Sequence, residues 1–518
     1  MILPCGLRSS ELLFWSTLVI ATATANHLLA FLPARSNAED SRWQATASGS
    51  AGQAGDSVIL TWGFAEEGTQ TQDFATDIRK PSNLIASFDA EFGAGPGGDD
   101  LTQRPWFFLF EDSFNRLSDL MGVTFIYELN DDRVVHGGPS GILGLRADMR
   151  IAGISLDGAN GVLAYNYFPN GGGEGDMALD TDDMSNFTNP ADNYRFLRNT
   201  LMHEVGHGLG LDHPDSDNAD FLMEAFIDTT FDGPQHDDLR GFQWFYGDAL
   251  EKSNSGAGND SAALATSLGA VSADLGLSVG MSGNGTVVGG DETDFVSITN
   301  ENDPDYFSFT VTQPVTIDLL MTPRGASYNQ GGNPFDTTST SNLELALIDS
   351  NGVSLLSESD SGAAGVAESI EGVVLDTPGT YYARVQSQSN APGQVIQFYQ
   401  LELSAEMLGP ELPGDFNNDG VVDAADYTVW RDTLGQSIAP FAGADHDGSG
   451  LVDSGDYTLW QSHFGSVAAA FFGAGYTVPR DNSEGLVTNS LLSPAIPEPS
   501  SGCLAIMMAC STLSICRR

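Results

Sequence analysis

The spacing of apolar and polar positions changes character several times along this chain of 518 residues. An almost uninterrupted apolar run covers Leu12–Ala25, with Arg8 ahead of it and the small residues Ala21, Ala23 and Ala25 at its end. That is the three-part pattern of an export signal, shorter than the roughly 20 residues a membrane-spanning helix needs. A second small-residue cleavage point follows Ala38. From about Asp56 to Gly247, strand-like and helix-like spacings alternate. SVILTWGF (57–64) and MGVTFIYEL (121–129) predict strands. The segment from Asp99 to Leu120 places Trp106, Phe107, Phe110, Phe114 and Leu117 at helical spacing, and a second helix is predicted from about Asp192 to Leu209. This mixture predicts an α+β domain.

Residues 258–405 read differently. Short alternating runs (YFSFTV, TIDLLM, LELALID, TYYARV) are punctuated by turn sequences such as DSNG and TPGT. They predict an antiparallel β-sandwich, with Tyr306, Phe307, Tyr381 and Tyr382 at packing positions. Residues 412–468 then hold an internal repeat: GDFNNDGVVDAADYTVWRDTLG is echoed thirty residues later by GADHDGSGLVDSGDYTLWQSHFG.

One motif carries chemistry, HEVGHGLGLDH over 203–213. His203 and His207 are four apart, so a helix presents both imidazoles on one face. Gly210 lets the chain leave that helix, and the turn brings back His213 as a third nitrogen. Three protein ligands leave one position open, as a catalytic zinc requires. Glu204 lies near the same face and is placed to act as general base on water. His136 and His236 lack such partners and read as ordinary hydrogen-bonded histidines.

HExxHxxGxxH resembles the signature of the metzincin metalloproteases. The resemblance implies a twisted mixed sheet with long helices, one catalytic Zn2+ and hydrolysis of protein or peptide substrates. Phe221-Leu222-Met223 is similar to the methionine turn of that family, which implies that Met223 packs beneath the metal without ligating it. HDDLRGFQWFYG (236–247) and ADMRIAGISLDGANGVLAYNYFPNGGGEGDMALD (147–180) resemble the matrixin branch. By that resemblance Asp157, Gly158, Asn160, Val162, Asp180 and Asp183 form a calcium site, and Asp148 and Asp176 contribute to a second. It also implies that substrate binds as an extended strand along Gly161–Tyr167. Two departures stand out. Tyr165 and Ala178 occupy positions where matrixins carry histidines for a structural zinc, so none is expected here, and Glu224-Ala225 replaces the usual proline after the methionine turn.

The later regions carry their own resemblances. DPDYFSFTV, LELALIDSNGVSL and TPGTYYARVQS are similar to pre-peptidase C-terminal domains. The repeats place Asp415, Asn417, Asp419, the Val421 carbonyl, Asp423 and Asp426 at positions 1, 3, 5, 7, 9 and 12 of a calcium loop. Asp445, Asp447, Ser449, the Leu451 carbonyl, Asp453 and Asp456 repeat the set, with Gly420 and Gly450 at the sharp turn. With Asp at position 12 and a helix after each loop, they resemble dockerin type I repeats. That implies structural Ca2+, a small α-helical EF-hand-like module and a cohesin-type partner. The tail, with Pro497-Glu498-Pro499, an apolar stretch and Arg517-Arg518, resembles a PEP-CTERM sorting signal that engages the envelope membrane or surface.

The expected organisation is therefore a signal and leader (1–38), a matrixin-like peptidase (39–250), a sandwich (258–405), calcium-binding repeats (412–468) and a sorting tail (494–518). Composition agrees with this. Seventy acidic residues against twenty basic ones give a net charge of −50, which excludes nucleic acid as a partner and supplies oxygen ligands for calcium. The four cysteines, Cys5, Cys503, Cys510 and Cys516, all lie at the ends, so neither a disulfide framework nor a thiolate zinc site is expected in the body. The reading is a secreted or surface-anchored bacterial zinc endopeptidase. The alternative is a surface adhesion or extracellular-matrix protein using the metzincin domain as a binding module; an intact Glu204 argues against it.

Overall fold

The computed structural model describes residues 31–467 except 35–37, 75, 171–173, 215–219, 272–275, 284, 331–332, 361, 389–395 and 408–411. The apolar run Leu12–Ala25, the four cysteines and residues 494–518 lie outside the described residues, whereas Ala38 opens the short helix Ala38–Ser41. The chain forms two units, divided after Met407.

In the first unit the strand VILTWGF, Val58–Phe64, is buried on both faces except at Ile59. Such a strand belongs inside a sheet covered by helices. It pairs in parallel with Val123–Tyr127 on one side and Met149–Ile154 on the other. Met149–Ile154 pairs in parallel with Met177–Asp180, and Ala164–Asn166 closes the sheet as its single antiparallel edge. The helix Phe107–Leu120 covers the sheet, its Phe114 ring stacked 4.4 Å from Trp62.

Both predicted helices start later than expected. Arg104 precedes Pro105 and is held extended at φ −71°, ψ 136°, so only a short 3-10 turn, Leu101–Gln103, forms before Phe107. Asp192, Asn193 and Tyr194 all adopt positive φ, and the Arg198 side chain donates to the carbonyls of Asp192 and Asn193, so the second helix begins at Arg195. The leader boundary also moves. Leu32–Pro33, expected before the domain, pairs antiparallel with Leu211–Asp212, and buried Phe31 packs 5.3 Å from Trp244. Residues 31–34 thus pack into the mixed-sheet fold of the first unit.

The sandwich comprises two five-stranded sheets. One runs Thr266–Ala270, Asp305–Val311, Gly379–Ser387, Leu343–Ile348, Leu355–Ser359; the other is built on Gln397–Met407, Val315–Pro323 and Glu368–Leu375. Thr266–Ala270 pairs in parallel with Asp305–Val311, a departure from the antiparallel expectation. The long connection between them makes this feasible, because it first supplies Leu277–Val279 and Val296–Ile298 to the other sheet.

The mixed-sheet domain and the sandwich share an interface. Arg116 donates to the carbonyls of Gly289 and Glu292, and the Gln235 side chain exchanges hydrogen bonds with the Val288 backbone. Near it, carboxylate oxygens of Glu251, Asp260 and Asp303 lie within 4.8 Å of one another. Burial first, then mutual repulsion, pushes Asp248 up to about 7 and Glu251 to about 10. A carboxyl with a raised folded pKa holds its proton better when folded, so its stabilising contribution is complete below the unfolded value and is lost as pH rises through the folded one. In metal-free buffer the thermal midpoint should fall between pH 5 and pH 9. Glu251→Gln should flatten that fall; an unchanged slope in this variant would refute the assignment.

The second unit is small. The helices Ala424–Thr433 and Ser454–His463 each follow an acidic loop and start with a reciprocal capping box, Asp423 with Asp426 and Asp453 with Asp456. Trp430 Nε1 donates to the Asp453 carbonyl and Trp460 Nε1 to the Asp423 carbonyl, so the two halves embrace symmetrically. The core is Phe416, Val422, Ala444, Val452 and Trp460.

Candidate metal centre

Twelve of the fifteen residues of the helix Arg195–Leu209 are buried, which leaves little room for side chains that do not pack. Two glycines make this possible. Gly210 ends the helix at φ 116°, a left-handed conformation, and turns the chain toward His213. A Cβ at Gly206 would overlap the Met223 sulfur, so the methionine turn can only seat itself against bare backbone. Gly206→Ala should therefore lower stability by about 1–3 kcal/mol through overpacking. The check is a thermal midpoint below the parent's, with a Gly208→Ala control meeting the flexible tip of Met149 instead.

The three Nε2 atoms converge: His203 to His207 3.1 Å, His207 to His213 3.2 Å and His213 to His203 3.3 Å. The other ring nitrogens decide what these contacts are. His203 Nδ1 donates to the Leu222 carbonyl at 2.6 Å and His207 Nδ1 to the Leu211 carbonyl at 2.7 Å. Each of these two rings therefore carries its proton on Nδ1 and turns an Nε2 lone pair inward. Burial pushes His203 down to about 3 and His207 well below the imidazole range, so neither is relieved by a second proton. Lone pairs facing one another at these distances need a cation between them. A point equidistant from the three nitrogens is about 1.85 Å from each, close to the roughly 2.0–2.1 Å of a zinc–imidazole bond. The donor set and its spacing fit zinc.

Glu204 follows His203 on the same helix. It is fully buried, neither carboxylate oxygen has a hydrogen-bond partner among the described residues, and burial pushes its carboxyl well above the usual range. An unpartnered buried carboxyl costs several kcal/mol, which folding alone gives no reason to tolerate. The Met223 thioether lies against Gly206 beneath the triad, and the Leu222 and Met223 amides both donate to the buried Asp238 carboxylate at 2.7 and 3.0 Å. Asp238 was not singled out in the sequence; its signal was an acidic residue at the third helical position, in a capping box with Gln235. Phe168, also missed, sets its ring edge-on to His207 at 5.4 Å.

Residues 111–247 match the Matrixin family. This matrixin-like segment is 39% identical to matrix metalloproteinase-15 of Homo sapiens over 96 residues, which is 18% of this chain and 14% of that protein. It is 39% identical over 97 residues to stromelysin-3 of Homo sapiens, covering 18% of this chain and 19% of that protein. Neutrophil collagenase of Homo sapiens is 36% identical over 93 residues, 18% of this chain and 19% of that protein. The chain thus spans less than a fifth of these relatives' length. Among solved structures, the pre-peptidase C-terminal domain of collagenase from Bacillus anthracis is 13% identical, covers 27% of this chain and 94% of that one, and gives a TM-score of 0.17. Matrixins are zinc metalloendopeptidases, and the histidine triad lies inside the matching segment.

The expected calcium sites of this domain fare differently. Asp157, Asp180 and Asp183 gather around the loop: Asp157 accepts from the Val162 amide, Asp180 from the Leu156 amide and Asp183 from the Asn160 amide. Asp183 Oδ2 is buried and unpartnered, which leaves an acceptor for a cation. Asp148 and Asp176, expected in a second site, both meet protein donors. Asp148 is taken up by the Thr61 amide and hydroxyl and the Ala47 amide, and Asp176 by the Gly137 and Arg150 amides beside the Arg150 guanidinium.

In the second unit the loop residues take the predicted positions. Asp415 accepts from the Asp419 and Gly420 amides, and Asp445 likewise from Ser449 and Gly450. Carboxylate oxygens of Asp445, Asp447 and Asp456 converge within 4.8 Å.

Proposed function

We propose that residues 31–250 are a zinc metalloendopeptidase acting on protein substrates outside the cytoplasm, with His203, His207 and His213 holding the metal and Glu204 as general base. The observation that carries this reading is the buried, unpartnered Glu204 carboxylate beside three inward-facing imidazole nitrogens. A binding module has no use for such a group. Zinc, when bound, supplies Lewis acidity and lowers the pKa of water. Glu204 takes the proton of the attacking water and delivers it to the leaving amine, a role helped by burial, which raises the basicity of its carboxylate. His203 and His207 are held in the ligating tautomer by the Leu222 and Leu211 carbonyls. The sheet-edge strand Ala164–Asn166 offers its outer side to an extended peptide.

We further propose that the loops 415–426 and 445–456 bind structural calcium, that Asp157, Asp180 and Asp183 hold another, that the apolar N-terminal run directs export, and that the Pro497–Arg518 tail sorts the chain to the envelope surface. A cohesin-type partner for the repeats follows from the same resemblance. The test of the central reading is a quenched peptide library incubated with the full chain. Cleavage abolished by a chelator and restored by zinc is the expected result. Zinc uptake without any turnover would overturn it in favour of the adhesion reading.

A further inference from the structure

The accessory sandwich reaches the underside of the metal centre through one hairpin, Ser327–Gln330 with Asn333–Asp336. Its Tyr328 is inserted among peptidase residues. The hydroxyl donates to Asp237 Oδ1 at 2.5 Å and accepts from Arg240 Nη1 at 3.1 Å, while the ring packs edge-on to Phe221 with centroids 5.0 Å apart. Phe335 of the same hairpin lies under the Arg240 guanidinium, 5.5 Å from ring centroid to cation. Asp237 and Arg240 are almost fully buried and 3.6 Å apart, too far for the pair to satisfy itself without a bridging group. The tyrosine hydroxyl is that group.

What these residues hold is the methionine turn. Phe221, gripped by the Tyr328 ring, immediately precedes Leu222, whose carbonyl fixes His203 Nδ1 and whose amide is fixed by Asp238. Asp238 is the chain neighbour of Asp237 on the first turn of the helix His236–Tyr246. One face of the turn is therefore anchored by the peptidase's own helix and the other by a residue more than 100 positions away, in a different domain.

We infer that Tyr328 is a positioning residue of the metal centre, so that the sandwich buttresses the methionine turn and sets how firmly His203 is presented to the metal. The hairpin acts through two routes, ring against Phe221 and hydroxyl against the Asp237–Arg240 pair. A protease domain severed from its sandwich would lose both. The inference concerns the histidine centre first and rests on the peptidase reading only for its activity readout.

The test uses the full chain and three variants. Tyr328→Phe keeps the ring and removes both hydrogen bonds; Tyr328→Leu removes the ring contact as well. Tyr381→Phe, whose hydroxyl donates to the Thr377 carbonyl within the sandwich, is the control. Zinc affinity is read by competition with a chromogenic chelator. Losing a direct partner of a ligating histidine costs about 10–100-fold in affinity, and Tyr328 acts one step further out, so Tyr328→Phe should weaken zinc roughly 5–10-fold and Tyr328→Leu more. In peptide hydrolysis at saturating zinc, kcat should drop while KM stays within about twofold, since the substrate strand is untouched. Because the leucine variant risks misfolding, Tyr328→Phe is also combined with Asp237→Asn: the second change should add almost nothing if both act through one bond network. Parental zinc affinity in Tyr328→Phe, or full additivity of the two changes, would overturn the inference. If the parent binds zinc but cleaves nothing, the peptidase reading falls, while the affinity series still decides this one.

Discussion

Glu204→Gln should abolish most peptide hydrolysis, by about 10²–10⁴-fold in kcat, without loss of zinc. The amide is nearly isosteric and cannot accept the proton of the attacking water. The imidazoles are untouched, because Glu204 makes no hydrogen bond to any of them. The same substitution should leave the thermal midpoint equal to the parent's or higher. A buried carboxyl without partners destabilises the fold, and replacing it with a neutral group removes the cost of ever ionising it there. Loss of activity together with a stability that holds or rises is the mark of a group retained for chemistry. Hydrolysis within tenfold of the parent, at equal zinc content, would remove Glu204 from the mechanism. Loss of zinc alongside activity would show that the carboxylate shapes the site instead.

How much of this was legible beforehand varied with the range of the interaction. The convergence of three histidines was readable because its spacing is local: two histidines one helical turn apart and a third after a glycine. The capped loops of the repeats were readable for the same reason, since each set of ligands lies within twelve residues. What escaped were contacts made across long sequence separation. Nothing in the spacing of Asp148 shows that its carboxylate meets the Thr61 and Ala47 amides. Leu32–Pro33 looked like part of a leader because the pattern of a short apolar segment does not say which strand it will join. The late start of the helix at Phe107 was in the sequence, in the restriction Pro105 places on Arg104, and was outweighed by the apolar periodicity running through it. Tyr328 could not have been found at all, since its role exists only once two domains are docked.

Removing calcium should unfold residues 412–467 while leaving the first unit intact. The reasoning begins with size. Among the described residues of this unit five apolar side chains are buried, too small a core to offset the ordering of some fifty residues, so a second source of stability is required. The acidic loops make the need sharper. Asp445, Asp447 and Asp456 bring carboxylate oxygens within 4.8 Å, and Asp456 is fully buried. Burial and the neighbouring carboxylates push the Asp426 and Asp445 carboxyls upward. Such clusters are tolerated only when protons or a cation neutralise them. At neutral pH protons are scarce, and a calcium ion in each loop reverses the repulsion and ties the loop to the first turn of its helix. The full chain treated with a calcium chelator should lose the helical signal of Ala424–Thr433 and Ser454–His463, and protease nicks should concentrate within 412–467. Asp445→Ala should weaken calcium binding by more than about tenfold, because it removes position 1 of its loop and the acceptor for the Ser449 and Gly450 amides. The two halves also share the crossed tryptophan bonds, Trp430 to Asp453 and Trp460 to Asp423, so damage to the second loop should lower the occupancy of the first. Calcium-independent folding of this unit, or two loops that titrate with no regard for each other, would show that the tryptophan clasp and its small core are sufficient and that the acidic loops serve another end.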